Sequence, residues 1–350
     1  MGIRDRHTTT SPASVQRVLD PASQIKVAYI ETAGLSRWLA TSGMSPLGVV
    51  AFGSPRSVSL PCPVIELDLP LLEGPSRCEV WSCDQPVRVY RDGDVSTAMS
   101  GDLLFGSITA HEGNDSSLDH TTEKAYRQLL RLLNESGFPH LWRIWNYFAN
   151  INEQQYGLER YRLFCMGRYR ALVEALPGFP GSLPAGTAVG TTGGPLQIYF
   201  LAGAHPATHL GNPRQVNAYD YPEIYGPRSP SFARATLCRS ESATHLFISG
   251  TASVVGHQSQ HAGLADMQAL ETITNLRALI DRARGVTPSL ERGTNLQSVF
   301  KVYVRNSKQL DTVRSILQDP FLLSSQFLYL QGDLCRRELL VEIEGLMAAD

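Results

Sequence analysis

Two glutamates and a cysteine near the end of the chain could perform proton-transfer chemistry. Apolar and polar residues alternate over residues 338–345, which predicts a β-strand with Glu342 and Glu344 on the same face. A carboxyl that such a strand removes from water has a raised pKa and can stay protonated near neutral pH. Cys335 lies just upstream of this strand. The alternative is that both glutamates face solvent on an outer sheet face, which is the more common arrangement for an isolated strand.

A second set of residues, all arginines and tyrosines, is suited to a small anionic substrate. The arginine guanidinium pairs with a carboxylate through two parallel hydrogen bonds, so two well-spaced arginines could orient a dicarboxylate. A single arginine is more often a partner in a surface ion pair, and a tyrosine in a proline-rich loop often only anchors that loop. The candidates are Arg168, Arg228, Arg234, Arg305, Tyr221 and Tyr225.

The composition favours a local binding site over binding by the charge of the whole surface. The 350 residues carry a formal charge of -2 and the isoelectric point is about 6.5, so no overall basic field attracts nucleic acid or an anionic membrane. No run approaches the roughly 20 apolar residues of a membrane span, and the polar residues 1–23 have no apolar signal core. We therefore expect a soluble cytoplasmic protein with no nucleic-acid or membrane partner. Its six scattered cysteines are expected to be reduced thiols.

Several familiar binding and catalytic motifs are missing from the sequence. No phosphate-binding loop ends in Gly-Lys-Ser/Thr, and the glycines of residues 190–194 precede a predicted strand, which favours a turn. His257 and His261 have the spacing of helical metal ligands, but they lie in a Gly/Gln/Ser-rich loop without a neighbouring acid, so a metal site is the less favoured interpretation. Ser249 precedes Gly250 within a predicted strand, a setting that argues against a nucleophile.

The order of strand, helix and strand occurs twice, which suggests an internal duplication, with chance similarity of two ordinary units as the alternative. In the first copy the helix begins at a cap formed by Thr121 or Thr122 and ends at Gly137. The flanking strands are predicted at 103–110 and 140–148 in the first copy and at 244–252 and 299–305 in the second. In the second copy the helix directs an apolar stripe inward that consists of Leu264, Met267, Leu270, Ile273, Leu276 and Ile280.

Each predicted unit continues with a further helix and further strands. The pattern predicts an α+β fold in which helices pack on one face of each sheet. The additional helices are expected at 155–176 and 307–317, and the additional strands at 25–30, 48–52, 63–69, 196–201, 327–331 and 338–344. The chain is divided into an N-terminal extension with strands (1–85), a first unit (86–210), an aromatic and Arg-rich active-site loop (211–240) and a second unit that carries Glu342 (241–350).

Short motifs in the second unit resemble the YjgF/RidA-type domain, whose fold is similar to that of the bacillary-type chorismate mutases. These motifs are Phe247-Ile248-Ser249-Gly250, Lys301-Val302-Tyr303-Val304 and the strand that contains Glu342. More specific motifs resemble the chorismatases of actinobacterial secondary metabolism and antibiotic biosynthesis, from about residue 80 to the end of the chain. They are Trp145-Asn146-Tyr147, Phe164-Cys165-Met166-Gly167-Arg168, Tyr221-Pro222-Glu223-Ile224-Tyr225-Gly226-Pro227-Arg228, Phe232-Ala233-Arg234-Ala235-Thr236 and Gly256-His257.

The resemblance implies a lyase that releases pyruvate from chorismate without a metal or an organic cofactor. Glu342 stands at the position of the family's catalytic glutamate and is implied to protonate the enolpyruvyl methylene. Gly250 and Cys335 stand where the hydrolytic members tend to have alanine, and this pair resembles the 3-hydroxybenzoate synthases. In the implied mechanism the neighbouring ring hydroxyl displaces pyruvate, and Cys335 moves or accepts a proton as the ring opens and becomes aromatic. Gly250 leaves space for the ring.

Chorismate carries two carboxylates, which explains a need for two cationic groups. The resemblance assigns Arg228 and Arg305 to these carboxylates, with Arg168 and Arg234 as second choices. The residues expected to shape the pocket are Tyr221 and Tyr225.

Other functions stay open at the level of the sequence. The first is hydrolysis of chorismate to 3,4-dihydroxycyclohexa-1,5-diene carboxylate and pyruvate. The second is a lyase-like branch that gives 4-hydroxybenzoate. An imine hydrolase of RidA type would also use an arginine for a carboxylate, but it would not need the loop rich in tyrosine and arginine. A noncatalytic small-ligand binder could use the same fold. The duplication predicts a monomer, because one chain could supply the interfaces that RidA-type proteins build from several.

Overall fold

Three sheets, each with helices on one face, account for most of the chain. The computed structural model describes residues 24–53, 60–113, 116–240, 243–290, 296–322 and 324–349. Parts of the predicted N-terminal extension, residues 1–23 and 54–59, lie outside these ranges. No helix within the ranges is long and apolar enough to cross a membrane.

The first sheet has four strands and comes from residues 25–83. Its elements are β1 (Ile25–Glu31), α1 (Leu35–Thr41), β2 (Ser45–Phe52), β3 (Val64–Leu67) and β4 (Arg77–Cys83). The strand order is β1-β4-β2-β3, in which β2 and β3 are parallel and the other neighbours antiparallel.

The second sheet has six strands and comes from residues 88–203. Its elements are β5 (Arg88–Asp92), β6 (Val95–Ser100), β7 (Leu103–Ala110), α2 (Leu118–Ser136), β8 (His140–Ala149), α3 (Arg160–Ala175), β11 (Ala185–Thr191) and β12 (Leu196–Gly203). A small hairpin of β9 (Gln154–Gln155) and β10 (Leu158–Glu159) precedes α3. The strand order is β11-β8-β12-β7-β6-β5, in which β11 and β8 are parallel.

The third sheet also has six strands and comes from residues 208–349. Its elements are β13 (Thr208–Leu210), β14 (Ala235–Arg239), β15 (Thr244–Ala252), α4 (Ala265–Val286), β18 (Gln297–Val304), α5 (Leu310–Ile316), β19 (Gln326–Gln331) and β20 (Val341–Ala349). A hairpin of β16 (Val254–Val255) and β17 (Gln258–Ser259) follows β15. The strand order is β13-β14-β15-β20-β18-β19, in which β18 and β19 are parallel. β13 and β14 belong to this sheet, although the sequence analysis placed them in the first unit and in the active-site loop.

The second and third sheets repeat one topology. Each strand of the second sheet has a counterpart at the same place in the sequence order and in the strand order of the third sheet. The corresponding pairs are β5 and β13, β6 and β14, β7 and β15, β8 and β18, β11 and β19, and β12 and β20. The predicted duplication is therefore confirmed, and so is the α+β fold with helices on one face of each sheet. The first sheet repeats four of these places, since β1, β2, β3 and β4 correspond to β7, β8, β11 and β12. The N-terminal part is thus a third, shorter copy rather than an extension.

The inner faces of the three sheets meet in one central core. Trp81 of β4 contacts Trp145 of β8 and Phe247 of β15, with ring centroids 5.2 Å and 6.5 Å apart. Each outer face has its own core beneath the helices. Because residues of the central strands alternate between these two kinds of core, both faces of those strands are buried, whereas the edge strand β5 is exposed. β20 lies between β15 and β18, and it therefore has no face toward solvent.

α2 begins one turn earlier than predicted. Its first residue is Leu118, so Thr121 and Thr122 lie inside the helix and not at its cap. The Thr122 hydroxyl donates to the Leu118 carbonyl at 2.7 Å, a bond to the preceding turn that lets threonine continue a helix. The predicted end is confirmed, because Gly137 has a φ of 80° and closes the helix in the left-handed conformation.

α4 turns a different face to its sheet from the one predicted. The C-terminal half of the predicted stripe is buried, but Leu264, Met267 and Leu270 are at least 38% exposed. Gln268 and Asn275 lie on the inward face instead, where their side-chain amides donate to backbone carbonyls. The accepting residues are Glu338, Ala252 and Val254. The hydrogen bonds of these two amides to the backbone at 252–254 and at 338 thus favour burial of the face of α4 that carries them.

Two further boundaries differ for local reasons. α3 begins at Arg160 and not at 155, because Gly157, with a φ of 80°, lets the preceding residues form a tight hairpin. β20 begins at Val341 and not at 338. The Leu340 N–H donates to the side chain of Gln268 at 2.7 Å, outside the strand pairing.

Candidate active site

A bulge beside β20 creates the setting of Glu342. The pairing of β15 with β20 shifts register between Ile248 and Thr251, and Gly250 lies in this irregular stretch. A Cβ added to Gly250 would overlap the Oε1 atom of Glu342, so the glycine leaves room for this carboxyl. Glu342 and Glu344 are 4% and 1% exposed. The alternative in which both glutamates face solvent is therefore wrong.

The Glu344 carboxyl is fixed by four donors. Lys301 Nζ lies 2.9 Å from it and the Tyr303 hydroxyl donates to it at 2.7 Å. The Arg143 guanidinium and the Thr187 hydroxyl are the other two donors. Burial alone would raise the pKa of Glu344, but the charges of Lys301 and Arg143 together with the hydrogen bonds hold it below its usual value. Glu344 is therefore ionised.

The Glu342 carboxyl is in the opposite situation. No hydrogen-bonding side chain is found for it within the residues that the structure describes. Burial, and then the negative charge of Glu344, raise the pKa of Glu342 to about 8, against the opposing charges of Arg143, Arg234 and Arg305. Glu342 is therefore mostly protonated at neutral pH, which is the state required of a general acid.

Glu342 lies where two adjoining spaces meet. The larger has a volume of about 450 Å³, within the range of small-molecule pockets, and the smaller about 40 Å³. The residues that line both spaces are Tyr161, Phe232, Gly250, Cys335 and Glu342. In the described ranges no group of three or more His, Cys, Asp or Glu side chains is arranged to hold a metal ion.

Arg234 brings a buried cation to the larger space. It is 5% exposed and donates to the Tyr221 hydroxyl at 2.7 Å and to the Val216 carbonyl at 2.8 Å. Its guanidinium lies 5.2 Å from the centre of the Phe232 ring, and its Nε has no hydrogen-bond partner among the described residues. Tyr221 and Arg234, both predicted from the sequence, are thus brought together.

Arg168 lines the smaller space and is 3% exposed. Its guanidinium lies over the rings of Tyr126 and Phe164, at 5.3 Å and 5.9 Å from their centres. Within the part of the chain that is described, its Nε and Nη2 atoms donate to no acceptor. A buried cation with unpaired donors is unfavourable unless an anion binds to it. This second choice of the sequence analysis therefore has the stronger geometry for a carboxylate.

Arg336 is a cation of the site that the sequence analysis missed. It lies 3.9 Å from the centre of the Tyr225 ring and donates to the His257 carbonyl and the Ser259 hydroxyl at 3.0 Å and 2.9 Å. The Tyr225 hydroxyl is 3.1 Å from the ring Nδ1 of His257. The position of Arg336 directly after Cys335 could have indicated it. The other lining arginines that were not predicted are Arg162 and Arg337.

The two arginines first assigned to the carboxylates lie in different places. Arg228 lines the larger space from an exposed position over the Tyr169 ring, 4.3 Å from its centre. Arg305 does not line either space. Its Nε donates to the Leu339 carbonyl at 2.8 Å, and its Nη2 donates to the carbonyls of Leu334 and Arg336. The geometry therefore corrects the assignment of Arg305, which holds the chain on both sides of Cys335 rather than facing the cavity.

Cys335 lines both spaces and is half-buried. Burial, followed by the charge of Glu342, raises the pKa of its thiol to about 12. The thiol is therefore protonated at neutral pH. The resemblance implies that Cys335 moves or accepts a proton, and because the thiolate is the basic form, a protonated thiol must first give up its own proton.

Glu342 is thus a buried, protonated carboxyl beside a cavity lined with arginines. Comparisons with known proteins agree on the family of the chain. Residues 79–202 match the family model described as Chorismatase FkbO/Hyg5-like, N-terminal. The chain is 34% identical to a 3-hydroxybenzoate synthase of Streptomyces hygroscopicus, over 91% of this chain and 96% of that protein. It is 36% identical to a chorismatase of the same organism, over 77% of this chain and 79% of that protein.

A solved crystal structure of a chorismatase is similar to the whole molecule. The TM-score is 0.80 at 31% identity, and the alignment covers 93% of this chain and 98% of that one. The chain therefore belongs to the chorismatase family, which confirms the family predicted from its motifs.

Proposed function

We propose that this chain converts chorismate to 3-hydroxybenzoate and pyruvate in the cavity beside Glu342. The observation that carries the proposal is a buried, protonated carboxyl without hydrogen-bond partners in the described chain, placed where two arginine-lined spaces meet. A vinyl ether is cleaved after protonation on carbon, and this step needs an acid that is still protonated at neutral pH. The family resemblance implies that neither a metal nor an organic cofactor takes part.

The proposed reaction starts with transfer of the Glu342 proton to the methylene carbon of the enolpyruvyl group. The neighbouring ring hydroxyl then forms a bond to the ring carbon that carries the ether, and that carbon–oxygen bond breaks to release pyruvate. The hydroxyl proton returns to the Glu342 carboxylate. The resulting epoxide opens and loses a ring proton, which gives 3-hydroxybenzoate without consumption of water. Cys335, protonated at neutral pH, donates its proton to the epoxide oxygen as the ring opens, and the resulting thiolate accepts the proton that leaves the ring carbon.

The carboxylates of chorismate are assigned to the two most buried arginines of the site. Arg168 has two unpaired donors in the smaller space, and Arg234 has one unpaired donor in the larger space. Guanidinium groups of this kind bind carboxylates in a fixed orientation. Arg228 and Arg336 also line the larger space and are proposed to attract the dianion.

Gly250 and Cys335, rather than overall similarity, favour 3-hydroxybenzoate as the product. The chain is about equally identical to the 3-hydroxybenzoate synthase and to the chorismatase of Streptomyces hygroscopicus. Gly250 lies against the Glu342 carboxyl, where a Cβ would overlap Oε1, and Cys335 lines both cavities. These positions are therefore where a change of product should originate.

Incubation with chorismate, followed by chromatography of the aromatic products and an assay for pyruvate, tests the proposal. We expect equal amounts of 3-hydroxybenzoate and pyruvate. Formation of 3,4-dihydroxycyclohexa-1,5-diene carboxylate as the main product would overturn the synthase proposal in favour of hydrolysis, and 4-hydroxybenzoate would indicate the lyase-like branch. Binding of chorismate without pyruvate release would indicate a noncatalytic binder. Turnover of an enamine but not of chorismate would indicate an imine hydrolase.

A further inference from the structure

Four buried charged side chains form a cluster where the three sheets meet. Glu79 comes from the first sheet, Arg143 from the second, and Lys301 and Glu344 from the third. Lys301 Nζ lies 2.6 Å from the Glu79 carboxylate and 2.9 Å from that of Glu344, and Arg143 pairs with the other oxygen of Glu344. None of these side chains is more than 4% exposed. Burial raises the pKa of Glu79, whereas the charges of Lys301 and Arg143 hold the pKa of Glu344 below its usual value.

Stability alone is a weak reason for such a cluster. Buried ion pairs lose their hydration, and well-packed apolar residues of similar volume are often as stable or more stable. The cluster has a second consequence, because alternation along β20 places Glu344 two residues from Glu342 on the same face, about 6 to 7 Å along the strand. A fixed negative charge therefore stands next to the proposed proton donor.

We propose that Glu344 is a positioning residue for the reaction: its fixed carboxylate keeps Glu342 in the protonated form, and Arg143 and Lys301 keep Glu344 ionised and in place. The inference rests on the proposed role of Glu342 as the proton donor. Thr187 extends the arrangement to the bulge, since its hydroxyl donates to Glu344 and accepts from the Gly250 N–H at 3.0 Å.

Other charges around Glu342 act in the opposite direction. Several arginines face it from neighbouring elements and favour its ionised form. Glu344 is the carboxylate that opposes them, while Glu79 is at the far end of Lys301 and is not among the main charges acting on Glu342. The charged and titratable groups that act on Glu342 or line the smaller space with it are Glu344, Arg143, Arg168, Arg234, Arg305, Tyr161 and Cys335.

The dependence of kcat/KM on pH tests the inference. In the natural chain activity should fall as pH rises through about 8, when Glu342 loses its proton. Glu344→Gln should move this midpoint to lower pH by on the order of one to two units, which corresponds to removal of one charge about 6 to 7 Å away at an effective dielectric constant of about 20. The rate of the variant should approach that of the natural chain again in mildly acidic buffer. A purely structural defect would not recover in this way.

Two further variants provide matched controls. Glu79→Gln removes a carboxylate of the same cluster at a greater distance from Glu342, and its midpoint should stay within about half a pH unit of the natural value. Arg143→Met removes a positive charge that favours ionised Glu342 and leaves Glu344 ionised through Lys301 and Tyr303, so its midpoint should move to higher pH. If Glu344→Gln does not fold, Glu344→Gln combined with Lys301→Met removes the buried ion pair as a unit, and its midpoint should still move to lower pH, by less than in the single variant.

Equal shifts for Glu344→Gln and Glu79→Gln, or an unchanged midpoint in Glu344→Gln, would overturn the inference. Neither outcome bears on the proposed function, which depends on the products formed from chorismate and on the loss of activity when Glu342 itself is replaced. Conversely, if chorismate is not converted, the proposed function fails before any pH profile is measured.

Discussion

Glu342 and Glu344 lie two residues apart on one buried face of β20, yet their partners give them opposite protonation states. Four donors hold Glu344 ionised, whereas Glu342 is left with burial and a neighbouring negative charge. Alternation in the sequence predicted the shared face, and the family resemblance singled out Glu342. The partners could not be predicted, because Arg143 and Thr187 are 201 and 157 residues away from Glu344 in the chain.

Glu342→Gln is expected to slow pyruvate release strongly, because a carboxamide is far too weak an acid to protonate carbon. Positioned general acids contribute about 10²- to 10⁴-fold, so the rate should fall by on the order of 10³-fold. Pyruvate release measured with a coupled assay gives the rate. The matched control is Glu338→Gln, whose carboxylate also lines the cavity but accepts from the Ser259 hydroxyl at 2.7 Å, and which should lose much less activity. Undiminished turnover in Glu342→Gln would remove Glu342 from the acid role.

Gly250→Ala is expected to alter the product through Glu342. The new Cβ would occupy the position of the Glu342 carboxyl, which must rotate away and lose its alignment with the substrate. Misplacement of a catalytic group by about 1 Å can cost on the order of 10²-fold, so pyruvate release should slow by roughly 10- to 100-fold. The fraction of diene product should rise, and rise further when Cys335→Ala is added. Product ratios are measured by chromatography.

Gly285→Ala serves as the control for Gly250→Ala. Gly285 lies in α4, and a Cβ there would meet no atom within 4 Å. Its rate and product ratio should equal those of the natural chain. A Gly250→Ala variant with the same products and rate as this control would show that the glycine does not act through Glu342.

At the scale of elements, the segment between β19 and β20 carries Cys335, and Arg305 is one of the side chains that hold this segment in place. Arg305 donates to the carbonyls of Leu334, Arg336 and Leu339, which lie on both sides of the thiol. The sequence indicated an arginine useful to a dicarboxylate, but it could not show that backbone carbonyls take up the donors. Such acceptors depend on the path of a loop, which has no periodic pattern.

Arg305→Lys distinguishes a role in positioning the segment around Cys335 from a role in binding a carboxylate of the substrate. Lysine keeps the charge but cannot bridge three carbonyls, so a positioning role predicts a lower kcat, more diene product and little change in KM. Loss of these bonds should also reduce the free energy of unfolding by about 1 to 3 kcal/mol, which thermal or denaturant unfolding would detect. A raised KM with unchanged kcat and products would instead restore Arg305 as a carboxylate ligand. Arg234→Lys is the comparison, because Arg234 lines the cavity and its replacement should raise KM.

At the scale of the whole molecule, three copies of one strand arrangement enclose a shared core. The sequence predicted two copies, because their long helices and apolar strands give clear patterns. The N-terminal copy, residues 25–83, was predicted only as separate strands. Its helix α1 has seven residues and its strand β3 has four, which is too short for a distinct periodicity. Its contribution is nevertheless central, because Glu79 reaches Lys301 across 222 residues of chain.

We expect the chain to be a monomer of 38.5 kDa in solution. The inner faces of all three sheets already cover one another, so these apolar faces do not need a second chain to bury them. Sedimentation velocity over a wide range of protein concentration should therefore give one species, with specific activity independent of concentration. A concentration-dependent dimer would contradict this. The exposed apolar residues Leu264, Met267 and Leu270 of the α4 region would then be the first surface to test, because Leu270→Glu should dissociate a dimer formed there without touching the cavity.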